Sequence, residues 1–163
     1  VNDHHAFDLG LRRTGHAYPG GSDVLICPAG AKGDDRLRFW RSTFRTIMSD
    51  AVLNGCDAVV VEGTFLGGNA NRGRVQTIHL HGVFRCVAAD HHLRVVEIAP
   101  SSLKKAATGN GRASKEEMVA AARALGCDPA DDNEADAFHA WIWHADRRFI
   151  AGATSHLIST SST

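Results

Sequence analysis

Three carboxylates stand where little but chemistry asks for them. Glu62 follows Val59, Val60 and Val61, a run apolar enough for a buried strand, and directly precedes Gly63. A carboxylate emerging from such a strand is costly unless something binds it. Asp8 closes a short strand expected over residues 5–9, and Asp136 falls early in a helix expected over Asp131–Asp146. If the first and fourth strands are neighbours, their ends bring Asp8 and Glu62 together, and the start of the last helix can cross that edge. Carboxylates crowded in this way repel one another unless a divalent cation neutralises them, and an all-oxygen donor set favours Mg²⁺ or Mn²⁺. Two such ions about 3.5–4 Å apart clamp the attacking and leaving oxygens in phosphodiester hydrolysis. Plainer readings remain open for two of the three: Asp136 can complement the helix dipole, with Asp131 and Glu134 forming a cap, and Asp8 can belong to a turn. Glu62 has no such alternative.

The elements that must position these groups are legible from periodicity and punctuation. Residues 5–9 and Thr14–Tyr18 read as a hairpin, with Pro19-Gly20-Gly21 as the next turn and Asp23–Cys27 as a third strand. Asp34–Asn54 places Leu37, Trp40, Phe44, Ile47, Ala51 and Val52 at helical spacing, and Gly55 ends it. Residues 57–62 form the fourth strand, Gly67–Gly73 a flexible loop, and Val75, Ile78, Gly82, Val83, Cys86 and Val87 one face of a second helix. Arg94–Ile98 is a fifth strand stopped by Pro100, and Ser114-x-x-Glu117 is a capping box for a helix running to Leu125. Residues 1–150 therefore form one α/β domain, a mixed five-stranded sheet flanked by helices on both faces, and residues 151–163 a Ser/Thr-rich tail.

Composition narrows the class. With 163 residues, 44% hydrophobic and 22% charged, the chain is long enough for one core and ordinary for a globular domain. No apolar run reaches the roughly 18–20 residues of a membrane span, and no basic, then apolar leader opens the sequence, so a cytoplasmic protein is expected. Cys27, Cys56, Cys86 and Cys127 form no Cys-x-x-Cys pair and suit buried thiols. The ten histidines, His4-His5, His79/His81 and His91-His92 among them, lack partners at ligand spacing and read as surface or helix residues. Trp40, Trp141 and Trp143 read as packing residues.

Net charge is zero, which by itself argues against nucleic acid and for a shallow salt dependence of any DNA binding. The charges are segregated, however. Arg12 and Arg13 lie in one stretch without acids, Arg72, Arg74 and Arg85 in another, and Lys104, Lys105, Arg112 and Lys115 in a third, whereas Asp128, Asp131, Asp132, Glu134 and Asp136 collect together. Such a pattern gives a basic face around an acidic spot. In GNGRASK, Gly109 and Gly111 permit close backbone approach to a phosphate, Asn110 lies between them, and Arg112 and Lys115 add charge. Ser114 opens a helix whose N–H groups favour an anion. A nucleotide P-loop is excluded, because no Gly-Lys-Ser/Thr follows a strand. Arg12 and Arg13 can reach phosphates near Asp8, and Asn71, Arg72 and Arg74 can form an arm beyond Glu62; solvent exposure is the alternative for each. Arg36, Arg38, Arg41 and Arg45 are expected on the outer face of the first helix.

FDLGLRRTG (7–15), VVVEGTF (59–65), KKAATGNGRASKEEM (104–118) and EADAF (134–138) resemble, in order and spacing, the motifs of RuvC-type Holliday junction resolvases, and more closely a divergent, phage-borne member than a standard bacterial one. The resemblance implies an RNase H-like fold and a homodimer that nicks two strands of a four-way DNA junction symmetrically. It also implies Mg²⁺ or Mn²⁺ ions, two per site, held by Asp8, Glu62 and Asp136, with Asp8 shared between them. The family's remaining Asp stands where this chain has Asn133; Asp132, a turn before Asp136, takes its place, with Asn133 and then Glu134 as alternatives. The resemblance further places a dimer contact on the Arg74–Ala89 helix, whose apolar stripe could equally be core.

Overall fold

The computed structural model describes residues 4–64 and 72–159, with side chains for 4–64 and 73–147. β1 (His4–Asp8), β2 (Arg13–Tyr18) and β3 (Gly21–Ile26) form an antiparallel meander. There follow α1 (Asp34–Leu53), β4 (Ala58–Glu62), α2 (Arg72–Asp90), β5 (Arg94–Ile98), α3 (Pro100–Thr108), α4 (Lys115–Ala124) and α5 (Asp132–Ser159). The sheet runs β3-β2-β1-β4-β5, with β1–β4 and β4–β5 parallel, each parallel pair joined through a helix as parallel neighbours require. This is the mixed sheet expected from the sequence.

Side-chain alternation divides the core in two. Phe7, Val59 and Val61 point to one face and meet Trp40, Phe44 and Met48 of α1 and Leu80, Phe84 and Val87 of α2. Phe7, Phe44 and Phe84 pack edge to face, with ring centroids 5.1–6.0 Å apart. Ala6, Val60 and Ile98 point to the other face and meet Leu103 of α3, Met118 of α4 and Ala140 of α5. Because β4 is covered on both sides, its valines form an unbroken apolar run rather than an alternating one. Trp40 donates its indole N–H to the Leu11 carbonyl at 3.1 Å, tying α1 to the β1–β2 turn.

Several local expectations need correction. Pro100 does not merely stop β5; it occupies the first turn of α3, where its missing N–H costs nothing, so a helix over 100–108 escaped a reading of proline as a breaker. The buried face of α2 is Leu80, Phe84, Val87 and Ala88, which leaves Val75, Ile78 and Cys86 exposed. α5 continues past Asp146 to Ser159, into the segment expected as tail; among residues 147–153 only Gly152 disfavours helix. His4 and His16, on β1 and β2, are buried rather than superficial, while His139 and His144 lie on a helix as read and are buried there. His4 is locked by reciprocal contacts with Trp141, its Nε2 2.9 Å from the Trp141 carbonyl and its own carbonyl accepting the indole N–H at 3.1 Å. Asn71 and residues 67–71 of the expected loop lie outside the described residues.

The capping box of α4 is formed as read: Ser114 Oγ accepts the Glu117 N–H at 3.2 Å, and Glu117 Oε2 accepts the Ser114 N–H at 2.7 Å. Ser114→Ala removes one partner of an exposed helix end while Met118 and Ala122 keep α4 anchored. A loss of about 1 kcal/mol in urea unfolding, with unchanged m-value, is the expected result.

Candidate metal centre and nucleic-acid interface

The register β1–β4 pairs Phe7 with Val61, so the next residues, Asp8 and Glu62, end adjacent strands side by side. Both share the parity of Ala6 and Val60 and therefore face α5, not α1. Asp136, one turn into α5, completes the group: one carboxylate oxygen from each of Asp8, Glu62 and Asp136 lies within 4.8 Å of the others. Asp136 Oδ1 is buried with no hydrogen-bond partner among the described residues.

Withdrawal from solvent, reinforced by mutual repulsion, disfavours the ionised forms. Burial, then the Glu62 and Asp136 charges, push Asp8 well above the usual carboxylate range. Burial and then Asp136 raise Glu62 to about 7, with Lys104 opposing. Burial and then Asp132 raise Asp136 to about 6, opposed by Lys104 and Lys115. Three acids that repel one another, an orphaned buried oxygen and an exclusively oxygen donor set fit a hard divalent cation.

The fourth position is divided. Asp132 and Asn133 both line the cavity of about 400 Å³ that contains the three carboxylates. Asp132 is ion-paired with Lys115, whose pKa is raised chiefly by that hydrogen bond. Glu134 drops out as a ligand: it is buried away from the cavity, accepting from Ser22 Oγ at 2.7 Å and from the Ala130 N–H at 2.8 Å. Asp131 caps α5, its Oδ1 accepting the Glu134 N–H at 3.1 Å, while its Oδ2 holds Arg13 at 3.0 Å.

What seats α5 is Gly15 of β2, the strand partner of Asp8. A Cβ there would come within 1.8 Å of the Asn133 carbonyl oxygen, so only glycine lets the first turn of the helix lie on the sheet. Sequence reasoning missed Gly15, although a glycine inside a strand is itself a sign of close backbone approach. It also missed Thr77 and His81, which line the cavity with Arg74. Their spacing, i, i+3 and i+7 on α2, is a single helical face. Burial lowers the pKa of His81, with Glu97 opposing and Arg85 reinforcing.

The basic residues sort into groups. Arg74, Lys104 and Lys115 surround the acidic centre, the first and last as lining residues and Lys104 through its effect on Glu62 and Asp136. Lys105 and Arg112 are exposed nearby. Gly109 ends α3 in the left-handed region, φ 79°, and Asn110 Oδ1 accepts the Arg112 N–H at 3.0 Å, so the loop has an internal order of its own. At Gly111 a Cβ would stand 3.1 Å from the Ser101 carbonyl oxygen. Arg12 is exposed, Arg13 is held by Asp131, and Arg72 opens α2.

A 3-2-1-4-5 mixed sheet bearing carboxylates at the adjoining ends of its two central strands, with a helix supplying the third, defines an RNase H-like domain with an acidic cluster that could hold a cation. Residues 21–144 match the model of the family described as crossover junction endodeoxyribonuclease RuvC, and the chain belongs to that family. The match begins beyond β1, so Asp8 enters the site on geometry. Relatives carrying that name include one from Dehalococcoides mccartyi, 32% identical over 142 residues (83% of this chain, 81% of the relative). Another, from Anaeromyxobacter dehalogenans, is 38% identical over 110 residues, which is 61% of this chain and 59% of the relative. The chain thus spans somewhat more than half the length of several relatives it matches. The structure of Thermus thermophilus RuvC superposes with a TM-score of 0.68 at 21% identity, covering 91% of this chain and 96% of that one. The same protein in complex with Holliday junction substrate gives 0.70 at 21% identity, covering 87% and 92%. These two confirm the fold.

The acidic cluster has a measurable sign. Glu62 and Asp136 titrate higher in the folded chain than in the unfolded one, so their contribution favours folding at low pH. It is lost as pH rises from about 4 to about 7. His5 works oppositely: burial and then His16 lower it to about 4, so its contribution is lost as pH falls from about 6.5 to 4. Comparison at fixed pH separates them. In EDTA at pH 8, Asp136→Asn should melt above the parent, with the gap closing near pH 4.5, and Mg²⁺ should raise the parent's melting temperature but not the variant's. A variant that melts lower at pH 8 contradicts the crowding. Gly15→Ala, by lifting the start of α5, should cost roughly 1–3 kcal/mol and weaken Mn²⁺ binding in calorimetric titration at least about tenfold.

Proposed function

We propose that the chain is a metal-dependent endonuclease that resolves four-way DNA junctions by paired symmetric nicks, acting as a homodimer in the cytoplasm. The observation that carries this reading is the Asp8–Glu62–Asp136 cluster, with its unpartnered Asp136 oxygen, in a chain of the RuvC family. Mg²⁺ or Mn²⁺, two per site, would supply activation of the attacking water and neutralisation of the leaving oxygen. Asp8, Glu62 and Asp136 would hold these ions, Asp8 as the ligand common to both, with Asp132 and Asn133 the candidates for the remaining donor. Lys104 and Lys115 place positive charge beside these acids, where a scissile phosphate has to approach an otherwise repulsive centre.

Branched DNA is the proposed partner, as Thermus thermophilus RuvC has been seen with a Holliday junction substrate. The proposed contacts are Arg12, Arg13, Asn71, Arg72, Arg74, Lys104, Lys105, Gly109, Asn110, Gly111, Arg112 and Lys115. The exposed Val75 and Ile78 of α2 support a subunit contact there. No helix among the described residues is long and apolar enough to cross a membrane.

Cleavage of end-labelled four-way junction, flap, fork and linear duplex in Mg²⁺ tests the reading. Paired symmetric nicks in the junction, reduced at least about a thousandfold by Asp136→Asn, are expected. Equal cutting of flaps and forks would make the enzyme a general branched-DNA nuclease, and junction binding without cleavage in either Mg²⁺ or Mn²⁺ would make it a binder. Arg112→Ala with Lys115→Ala should lose junction affinity while keeping the fold. Val75→Glu should shift the protein towards monomer in sedimentation.

A further inference from the structure

Arg36 does not share the outer face of α1 with Arg38, Arg41 and Arg45. It is half-buried, and its Nε donates to the Ala31 carbonyl at 2.9 Å, which fixes the guanidinium against the loop before the helix. Together with Arg12 and Arg13 it lines a concave site of about 170 Å³ walled by Ile26, Cys27 and Pro28. No carboxylate among the described residues lines that site. Of its three arginines only Arg13 is paired with an acid among the described residues, Asp131. Arg12 is held at the rim by its backbone, its carbonyl accepting the Cys27 N–H at 2.9 Å, while its side chain is exposed. Two guanidinium groups facing one small hollow without a counter-charge make a site for an anion, and their planar forks suit a phosphate.

Position gives the anion its source. The hollow is built from the β1–β2 turn, the end of β3 and the start of α1, at the same end of the sheet as Asp8 and Glu62 but on the α1 side. Arg12 follows Asp8 by four residues, so the two backbones are at most about 14 Å apart. A strand whose phosphate reaches the carboxylates has this rim within the span of a few nucleotides.

We propose that the Arg12–Arg36 hollow binds a backbone phosphate of the branched DNA substrate a few nucleotides from the cleavage position, as an anchor separate from the basic loop after α3. This rests on the junction-nuclease reading. Free phosphate offers the same chemistry, so the test must tell the two apart.

The experiment is fluorescence anisotropy of a labelled four-way junction over a salt series, with Ca²⁺ replacing Mg²⁺ and strand integrity checked on denaturing gels. Arg12→Ala and Arg36→Ala should each weaken binding about three- to tenfold and reduce the slope of log K against log salt by about 1. Arg38→Ala, on the same helix but paired with Asp35, should stay within about twofold of the parent. Arg36→Ala also strips the Ala31 carbonyl of its donor, so Arg12→Ala, which breaks no described side-chain hydrogen bond, is the cleaner arm, with melting temperatures confirming both folds. Parent-like affinity and slope in both variants, with the parent binding junctions, overturns the anchor alone. A parent that binds no junction overturns the nuclease reading and the anchor with it. A melting-temperature rise with inorganic phosphate that both variants lose, at unchanged junction affinity, makes the hollow a free-anion site and also overturns the DNA assignment.

Discussion

Three carboxylates held closer than their charges favour are the constraint on which the working end of this domain depends. Nothing local to Asp8, Glu62 or Asp136 would bring them together. Parallel pairing of β1 with β4 sets the first two side by side, and α5 delivers the third. The cohesion that tolerates the repulsion comes from elsewhere: a doubly covered β4, the aromatic cluster of Phe7, Phe44 and Phe84, and a row of alanines that brings α5 down onto the sheet. Packing of this kind is worth several kcal/mol per large buried side chain, enough to hold a cluster that would otherwise open.

Close approach is the second requirement, and Gly15 supplies it. The carbonyl of Asn133 occupies the space a β-carbon would fill, so the helix that bears Asp132, Asn133 and Asp136 sits as low as a backbone can. The same contact explains why Asp131 and Glu134, neighbours in sequence, take no part in the cluster. They are spent on fixing the helix start, Asp131 as its cap and as the partner of Arg13, Glu134 on Ser22 and Ala130. A run of acids thus divides into some that orient the helix and some that face the cavity.

Much of this could be read from the chain. Glu62 could not be explained by capping or turn chemistry, and the three carboxylates that this anomaly singles out are ones the fold brings together; Ser114-x-x-Glu117 named its helix start because a capping box is a local device. The failures share a physical cause. Pro100 serves equally to end a strand and to begin a helix, and only the tertiary position of Leu103 decides for α3. On α2 two apolar stripes compete, and what the sheet covers is Leu80, Phe84, Val87 and Ala88, a fact about the neighbour rather than the helix. His4 and His16 look superficial by type, yet the first places its Nε2 on the Trp141 carbonyl and the second meets His5 and Asp23, partners that exist only once the sheet and α5 are assembled.

The zero net charge then ceases to argue against DNA. A uniformly basic surface would attract phosphates everywhere, whereas here the acids are drawn inward and the bases arranged around them. Lys104 and Lys115 already offset part of the carboxylate repulsion, as their downward pull on Asp136 shows, and Lys115 does so through Asp132 as well. The centre is therefore acidic at its floor and basic at its wall, so that a cation and a phosphate would each be attracted by what repels the other. Such an arrangement derives its selectivity from the order of charges over a few ångströms, not from their sum, and the sum is free to be zero.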